Sequence, residues 1–133
     1  MKENWLDANV ILRFLLNDHQ SHSKRALELI ETAGAQEMLL KVPSFILCEV
    51  IYVLEGLEFS RESISRKLID FSRLPAIKYV PEEILIEALL EYPEKNCDFP
   101  DILLMSLARN KKETAWSFNK NDFRHLGGPW QQP

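Results

Sequence analysis

The chain has 133 residues, 46% of them hydrophobic and 27% charged, and carries a formal net charge of −4. That length supports one domain with a full hydrophobic core and excludes two ordinary ones, and the balance excludes a disordered or fibrous chain. The acidic total excludes a surface that grips nucleic acid all over, while local basic patches stay open.

The predicted elements alternate along the chain. "NWL" reads as a short strand that ends at Asp7, followed by a helix over residues 9–16 and a second helix around "SKRALELIETA". "MLLKV" is a second strand, stopped by Pro43. Ser44 is placed to cap the helix "FILCEVIYVLEG", and Ser60 opens the amphipathic helix "SRESISRKLIDFSRL". "AIKYV" is a third strand and "PEEILIEALLEY" a helix with proline in its first turn. "NCDFPDILLMSLARNKK" puts two aspartates in front of another helix. "ETAWSF" follows as a fourth strand, then a short helix around "NDFRHL" and a Gly-Gly-Pro tail. Such alternation predicts a parallel sheet covered on both faces, with right-handed crossovers and with its chemistry at the carboxyl ends of the strands.

No repeat, low-complexity tract or Gly/Ser linker divides the sequence, so residues 1–133 read as a single domain. The longest apolar stretches, "VILRFLL" and "FILCEVIYVL", are each broken by a charge and fall well short of the roughly 20 residues that span a bilayer. The start of the chain lacks the apolar core of an export signal, and the expectation is a cytoplasmic protein with no membrane segment. Cys48 and Cys97 form neither a disulfide framework nor a four-ligand zinc set, and read as small buried hydrophobes. His19 and His22 lie in a polar segment without a third ligand. Glycine-rich phosphate loops and serine-hydrolase elbows are absent. Of the three tryptophans, two are expected as core anchors, with Trp130 in the tail as a candidate for an interface.

Four acids carry the chemical argument. Asp7 ends the first strand just before a helix, where it is either a helix cap or a ligand. Glu49 is the only charge between Phe45 and Leu54, in a helix that is apolar all round as buried helices are; it either lies on an exposed edge of that helix or is a buried carboxylate that needs a cation, hydrogen bonds or a raised pKa. Asp98 fits as the cap of the next helix and Asp101 as its first-turn acid, beside Pro100. One cap explains one of these two aspartates and leaves the other over. Asp7, Glu49 and Asp101 all fall near helix starts where strands end, and three acids on one spot are reconciled by a hard divalent cation. Such an ion generates a hydroxide-like nucleophile and stabilises a phosphodiester transition state.

"WLDANVILRFLL", "VPSFILCEVIYVLEG", "DFPDILLMSLAR" and "AWSFNKNDFRHLGG" resemble, in order, the first-acid, second-acid, third-acid and closing segments of PIN domains, over nearly the whole chain. The resemblance is to the branch that includes the VapC toxins. It implies a three-layer α/β/α sandwich with a central parallel sheet of four or five strands, and a Mg²⁺-dependent ribonuclease in which Mn²⁺ is a plausible substitute. It further implies a homodimer held inactive by a cognate antitoxin. The family's acids carry over onto Asp7, Glu49 and Asp101 as catalytic metal ligands, with Asp98 as companion. The fourth acid falls on Asn119, an amide without charge, which leaves a catalytically weak or inactive binding module as the alternative. Asp122, one turn on, is the substitute carboxylate or a cap of the last helix. Asn9 and Arg13 share a helix face beside Asp7. Asn9 reads as a supporting hydrogen-bond partner, and Arg13 as a contact for phosphate or antitoxin. Ser44 and Ser117 are placed to orient Glu49 or the attacking water.

Overall fold

The computed structural model describes residues 2–133. The chain divides into two compact units, Met1–Glu82 and Glu83–Pro133.

The first unit contains strands β1 (Glu3–Trp5), β2 (Leu39–Pro43) and β3 (Ile77–Val80) and helices α1 (Ala8–Leu16), α2 (Gln20–Ala35), α3 (Ser44–Gly56) and α4 (Arg61–Ser72). The strands form one parallel sheet in the order β1-β2-β3, with Trp5 opposite Lys41 and Val42 opposite Tyr79. Parallel neighbours need helical crossovers, which α1, α2, α3 and α4 supply. α2 and α3 lie against β2, and α4 against β3. Leu40 and Val42 of β2 are buried with Tyr79 of β3 and with Leu47, Val50, Ile51 and Leu54 of α3. Phe14 and Phe71 tie α1 to α4, their ring centroids 5.4 Å apart.

The second unit contains helices α5 (Glu82–Glu91, its first residue closing the first unit), α6 (Phe99–Lys111) and α7 (Lys120–Phe123) and strands β4 (Ala115–Trp116) and β5 (Trp130–Gln131). Tyr92 and Phe99, both fully buried, meet edge to face at 5.8 Å. An ionic lock joins α5 to α6. Arg109 pairs with Glu91 and Glu87, while Ser106 Oγ and Asn110 Nδ2 donate to Glu87 at 2.8 and 2.7 Å. Arg109 also donates to the carbonyl of Leu126 at 2.7 Å, so the closing turn is held against α6. Gly127 there has φ +65°, the left-handed region that glycine enters at least cost.

The architecture is the helix-rich α/β arrangement with parallel strands that the alternation predicts. Three details differ from the expectation. The main sheet has three strands, because "ETAWSF" yields only Ala115–Trp116, and these two residues pair with Trp130–Gln131 as a separate parallel ribbon. Trp5 and Trp116, expected as core anchors, are 59% and 58% exposed, whereas the tail residue Trp130 is half-buried with its ring 6.3 Å from Phe123. Trp5 lies on a three-residue edge strand, where the Lys41 ammonium 4.2 Å above its ring takes the place of core packing. Cys97 is buried as expected; Cys48 is half-buried, enough for burial to push its thiol up. No helix among the described residues is long and apolar enough to cross a membrane.

Candidate functional site

In the first unit, Asp7 follows β1 and is the N-cap of α1. Its backbone is extended, and its side chain accepts the Asn9 N–H at 3.4 Å. That distance is long for such a bond, and Asp7 is exposed, so the cap holds its carboxylate weakly. A pocket of about 490 Å³ opens beside it, lined by Trp5, Leu6, Asp7, Pro43, Phe45 and Ile46. It therefore lies where β1 and β2 end and α1 and α3 begin, the carboxyl edge of the sheet.

Glu49 sits on α3 and is exposed. The helix looked buried all round because Phe45 and Tyr52, four residues before and three after Glu49, are apolar. They form one stripe with it, and that stripe faces outward with Phe45 70% and Tyr52 76% exposed. Ser44 does not cap α3. It is the first helical residue, and the N-cap is Pro43, which has no side chain to donate or accept.

Asn9 and Arg13 share a face as expected. They line a groove of about 400 Å³ with Val10, His22, Arg25, Ala26 and Leu29. The guanidinium of Arg13 is engaged with Asp18, donating to both carboxylate oxygens at 2.8 and 2.9 Å, and this hydrogen bond holds the Asp18 carboxyl below its usual range. His19 caps α2 by accepting the His22 N–H through Nδ1, and the two rings stack at 4.1 Å, a structural pair.

In the second unit, Asp98 and Asp122 both act by charge on Asp101. Asp98 occupies the N-cap position of α6, but its side chain makes no capping hydrogen bond; only its carbonyl oxygen serves the helix, accepting from Asp101 and Ile102. The predicted division into a cap and a surplus acid thus leaves both carboxylates over. Asp101, half-buried, has its carboxyl pushed up by burial first and then by the negative charges of Asp98 and Asp122. Asp122 is held by Asn119 through two hydrogen bonds. The Asn119 oxygen accepts the Asp122 N–H at 3.3 Å, and the Asn119 Nδ2 donates to the Asp122 carboxylate at 2.8 Å. Ser117 Oγ accepts the Asn119 N–H at 2.9 Å, fixing the turn. Among the described residues, none of the three carboxylates is ion-paired.

Asp122 is the residue whose part the sequence understates. Asn119-x-x-Asp122 has the spacing of a capping box, but only its first half forms: Asn119 and not Asp122 is the cap of α7, the Asn119 N–H goes to Ser117, and Asp122, a first-turn acid, acts by its charge on Asp101. The position that lacks an acid is thus joined by two hydrogen bonds to one that has it.

Oxygen donors of this kind suit a hard divalent ion and not a soft one. An acid raised by neighbouring like charge is relieved by a cation, so the Asp98, Asp101 and Asp122 set fits such a metal in charge and donor type. Among the described residues, no group of three His, Cys, Asp or Glu side chains is already gathered closely enough to hold one.

The expectation that Asp101 follows a strand is not met, since α6 comes directly after α5. A parallel α/β fold with acids at helix starts, Asp7 after β1 and Asp98 and Asp101 at α6, defines a class, and comparison with known families makes it specific. The PIN domain family matches residues 5–129, and the chain belongs to it. The match runs through both compact units. Among solved structures, the chain is similar to VapBC2 from Rickettsia felis bound to a DNA fragment from its promoter, at 18% identity over 98% of each chain, with a TM-score of 0.40. A comparison with curated proteins returned no match.

Proposed function

We propose that this single PIN domain is a Mg²⁺-dependent endoribonuclease, the toxin of a toxin–antitoxin pair, with its site on Asp7, Glu49 and Asp101. Nuclease chemistry is the general activity of the family, and the toxin assignment follows the segments "WLDANVILRFLL" and "DFPDILLMSLAR". The observation that carries the reading is the placement of Asp101, half-buried in the first turn of α6 behind an Asp98 whose side chain makes no capping bond, with neither acid ion-paired among the described residues.

Asp7, Asp101 and Glu49 are the proposed ligands of a divalent ion, which when bound would activate water and neutralise charge on the phosphodiester. The protein's own groups do the rest. Asp98 and Asp122 add negative potential around Asp101 and favour a cation there. Asn119 holds the Asp122 carboxylate by its hydrogen bond at 2.8 Å, and Ser117 holds Asn119 by accepting its N–H at 2.9 Å. Glu49, open to solvent, orients the attacking water or accepts its proton. A contact from Arg13 to a phosphate or to the antitoxin would exchange against Asp18. The partners implied are RNA, a cognate antitoxin and a second copy of the chain, in the cytoplasm.

A catalytically weak binding module is the second reading, favoured by the uncharged Asn119. The charge that Asp122 places on Asp101 weighs against it. Incubation of purified protein with structured RNA separates the two. The nuclease reading expects cleavage with Mg²⁺, none with chelator, and a loss of at least ~100-fold in Asp101→Asn, the scale of removing one charge-stabilising group from an active site. Equal cleavage by wild type and variant would sink it.

A further inference from the structure

The Glu83–Pro133 unit has a pocket that shares Asp122 with the acids around Asp101 and adds an arginine and polar groups to it. It measures about 490 Å³ and is lined by Asn96, Cys97, Asn121, Asp122, Arg124 and His125. Asp122 is therefore shared: its charge acts on Asp101, and it is also a wall of this pocket. The walls are held by two cross-links. Cys97 Sγ donates to the Asp122 carbonyl at 3.7 Å, and Lys95 Nζ donates to the His125 carbonyl at 3.3 Å, which fastens the turn after α7 to the segment before α6. Arg124, His125, Asn96 and Asn121 are all exposed. Among the described residues, Arg124 forms no ion pair.

A nuclease whose centre is a set of carboxylates faces an electrostatic difficulty, since its substrate is a polyanion and this chain has a net charge of −4. A cation placed beside the carboxylates offsets the repulsion and fixes where the strand runs. Arginine suits that task, because its planar fork grips phosphate oxygens bidentately. Two asparagine amides can pair with the edges of an unstacked base, and an imidazole can stack on its face, which are the means by which single-stranded RNA is read. The volume falls in the range of pockets that enclose small ligands, about 300–1,000 Å³.

We infer that this pocket is a nucleotide subsite for single-stranded RNA: Arg124 binds the phosphate next to the one that is cut, and Asn96, Asn121 and His125 hold its base. The inference rests on the ribonuclease reading above.

The test separates the two. Wild-type cleavage of RNA in Mg²⁺ is measured first. Binding of a short fluorescein-labelled single-stranded RNA is then followed by anisotropy over a salt series in the Asp101→Asn background, so that turnover does not intervene. Adding Arg124→Ala should weaken binding on the order of tenfold and reduce the slope of log affinity against log salt by about 0.7, the value of one single-strand phosphate contact. Arg124→Lys should keep the slope while losing part of the affinity. Arg66→Ala, which removes an exposed arginine from α4, should change neither. In the otherwise wild-type enzyme, Arg124→Ala should raise KM with kcat nearly unchanged. If wild type neither cleaves nor binds RNA, the ribonuclease reading is overturned and the subsite with it. If wild type does both but Arg124→Ala binds RNA as before, or Arg66→Ala weakens it equally, the subsite alone is overturned.

Discussion

Replacing Asn119 by aspartate returns a carboxylate to the position where the PIN resemblance expects one, and the structure sets the cost. Asn119 uses its amide twice, accepting the Asp122 N–H at 3.3 Å and donating to the Asp122 carboxylate at 2.8 Å. Aspartate preserves the first bond, since asparagine and aspartate cap helices about equally well. It abolishes the second and sets carboxylate against carboxylate. A hydrogen bond to an ionised group contributes about 1.5–3 kcal/mol, and repulsion between two charges ~4 Å apart adds about 1 kcal/mol in bulk water. Asn119 is exposed and Asp122 half-buried, so solvent screening applies and the lower end is expected, a loss of about 1–2 kcal/mol. Urea unfolding without divalent metal measures it. In millimolar Mg²⁺ the deficit should shrink, because an ion that binds only the folded state stabilises it by mass action, and the added carboxylate tightens that binding. A loss of the same size with and without Mg²⁺, or no loss at all, would refute the argument that Asn119 and Asp122 border a cation site.

Three further outcomes follow from the packing. Gly128→Ala places a Cβ onto the Met105 Sδ and 2.9 Å from the Arg109 Cγ, and should destabilise by about 1–3 kcal/mol in chemical denaturation, as overpacking does. Ser60→Ala removes the oxygen that accepts the Ser63 N–H at 3.1 Å at the start of α4, and should lower the unfolding free energy by about 1 kcal/mol. Glu87 has a pH signature: burial pushes its carboxyl up, but hydrogen bonds from Asn110 and Ser106 and the charge of Arg109 outweigh it, leaving it below its ordinary value of 4.5. A depressed acid stabilises above its unfolded pKa and loses that contribution as pH falls through the folded one, so urea midpoints should drop below about pH 4.5 and Glu87→Gln should flatten that limb.

The alternation of strand and helix was legible because each element carries its own local signal, and so were Asp7 at the end of β1 and Ser60 as a cap with its bond to Ser63. β5 was hidden because two residues behind Gly-Gly-Pro have no periodicity to display, and without β5 the pairing of Ala115–Trp116 has no visible partner. Trp5 and Trp116 show that aromatic character says little about depth at an edge strand, where one side of the residue has no neighbour. Glu49 was misjudged for a related reason. Hydropathy cannot separate an apolar residue that is buried from one left facing solvent, and Phe45 and Tyr52 are of the second kind. The effect of Asp122 on Asp101 was out of reach because it depends on tertiary proximity and not on spacing: Asp122 stands 21 positions beyond Asp101 in the sequence.

Crystals grown with Mn²⁺ and measured for anomalous scattering put the decisive question to the molecule: which oxygens surround the ion? The account predicts one strong peak within about 2.0–2.3 Å of carboxylate oxygens from both Asp7 and Asp101, a normal ligand distance for a small hard cation. A well-ordered ion bound elsewhere, or held by acids of one unit with the other turned away, would contradict it.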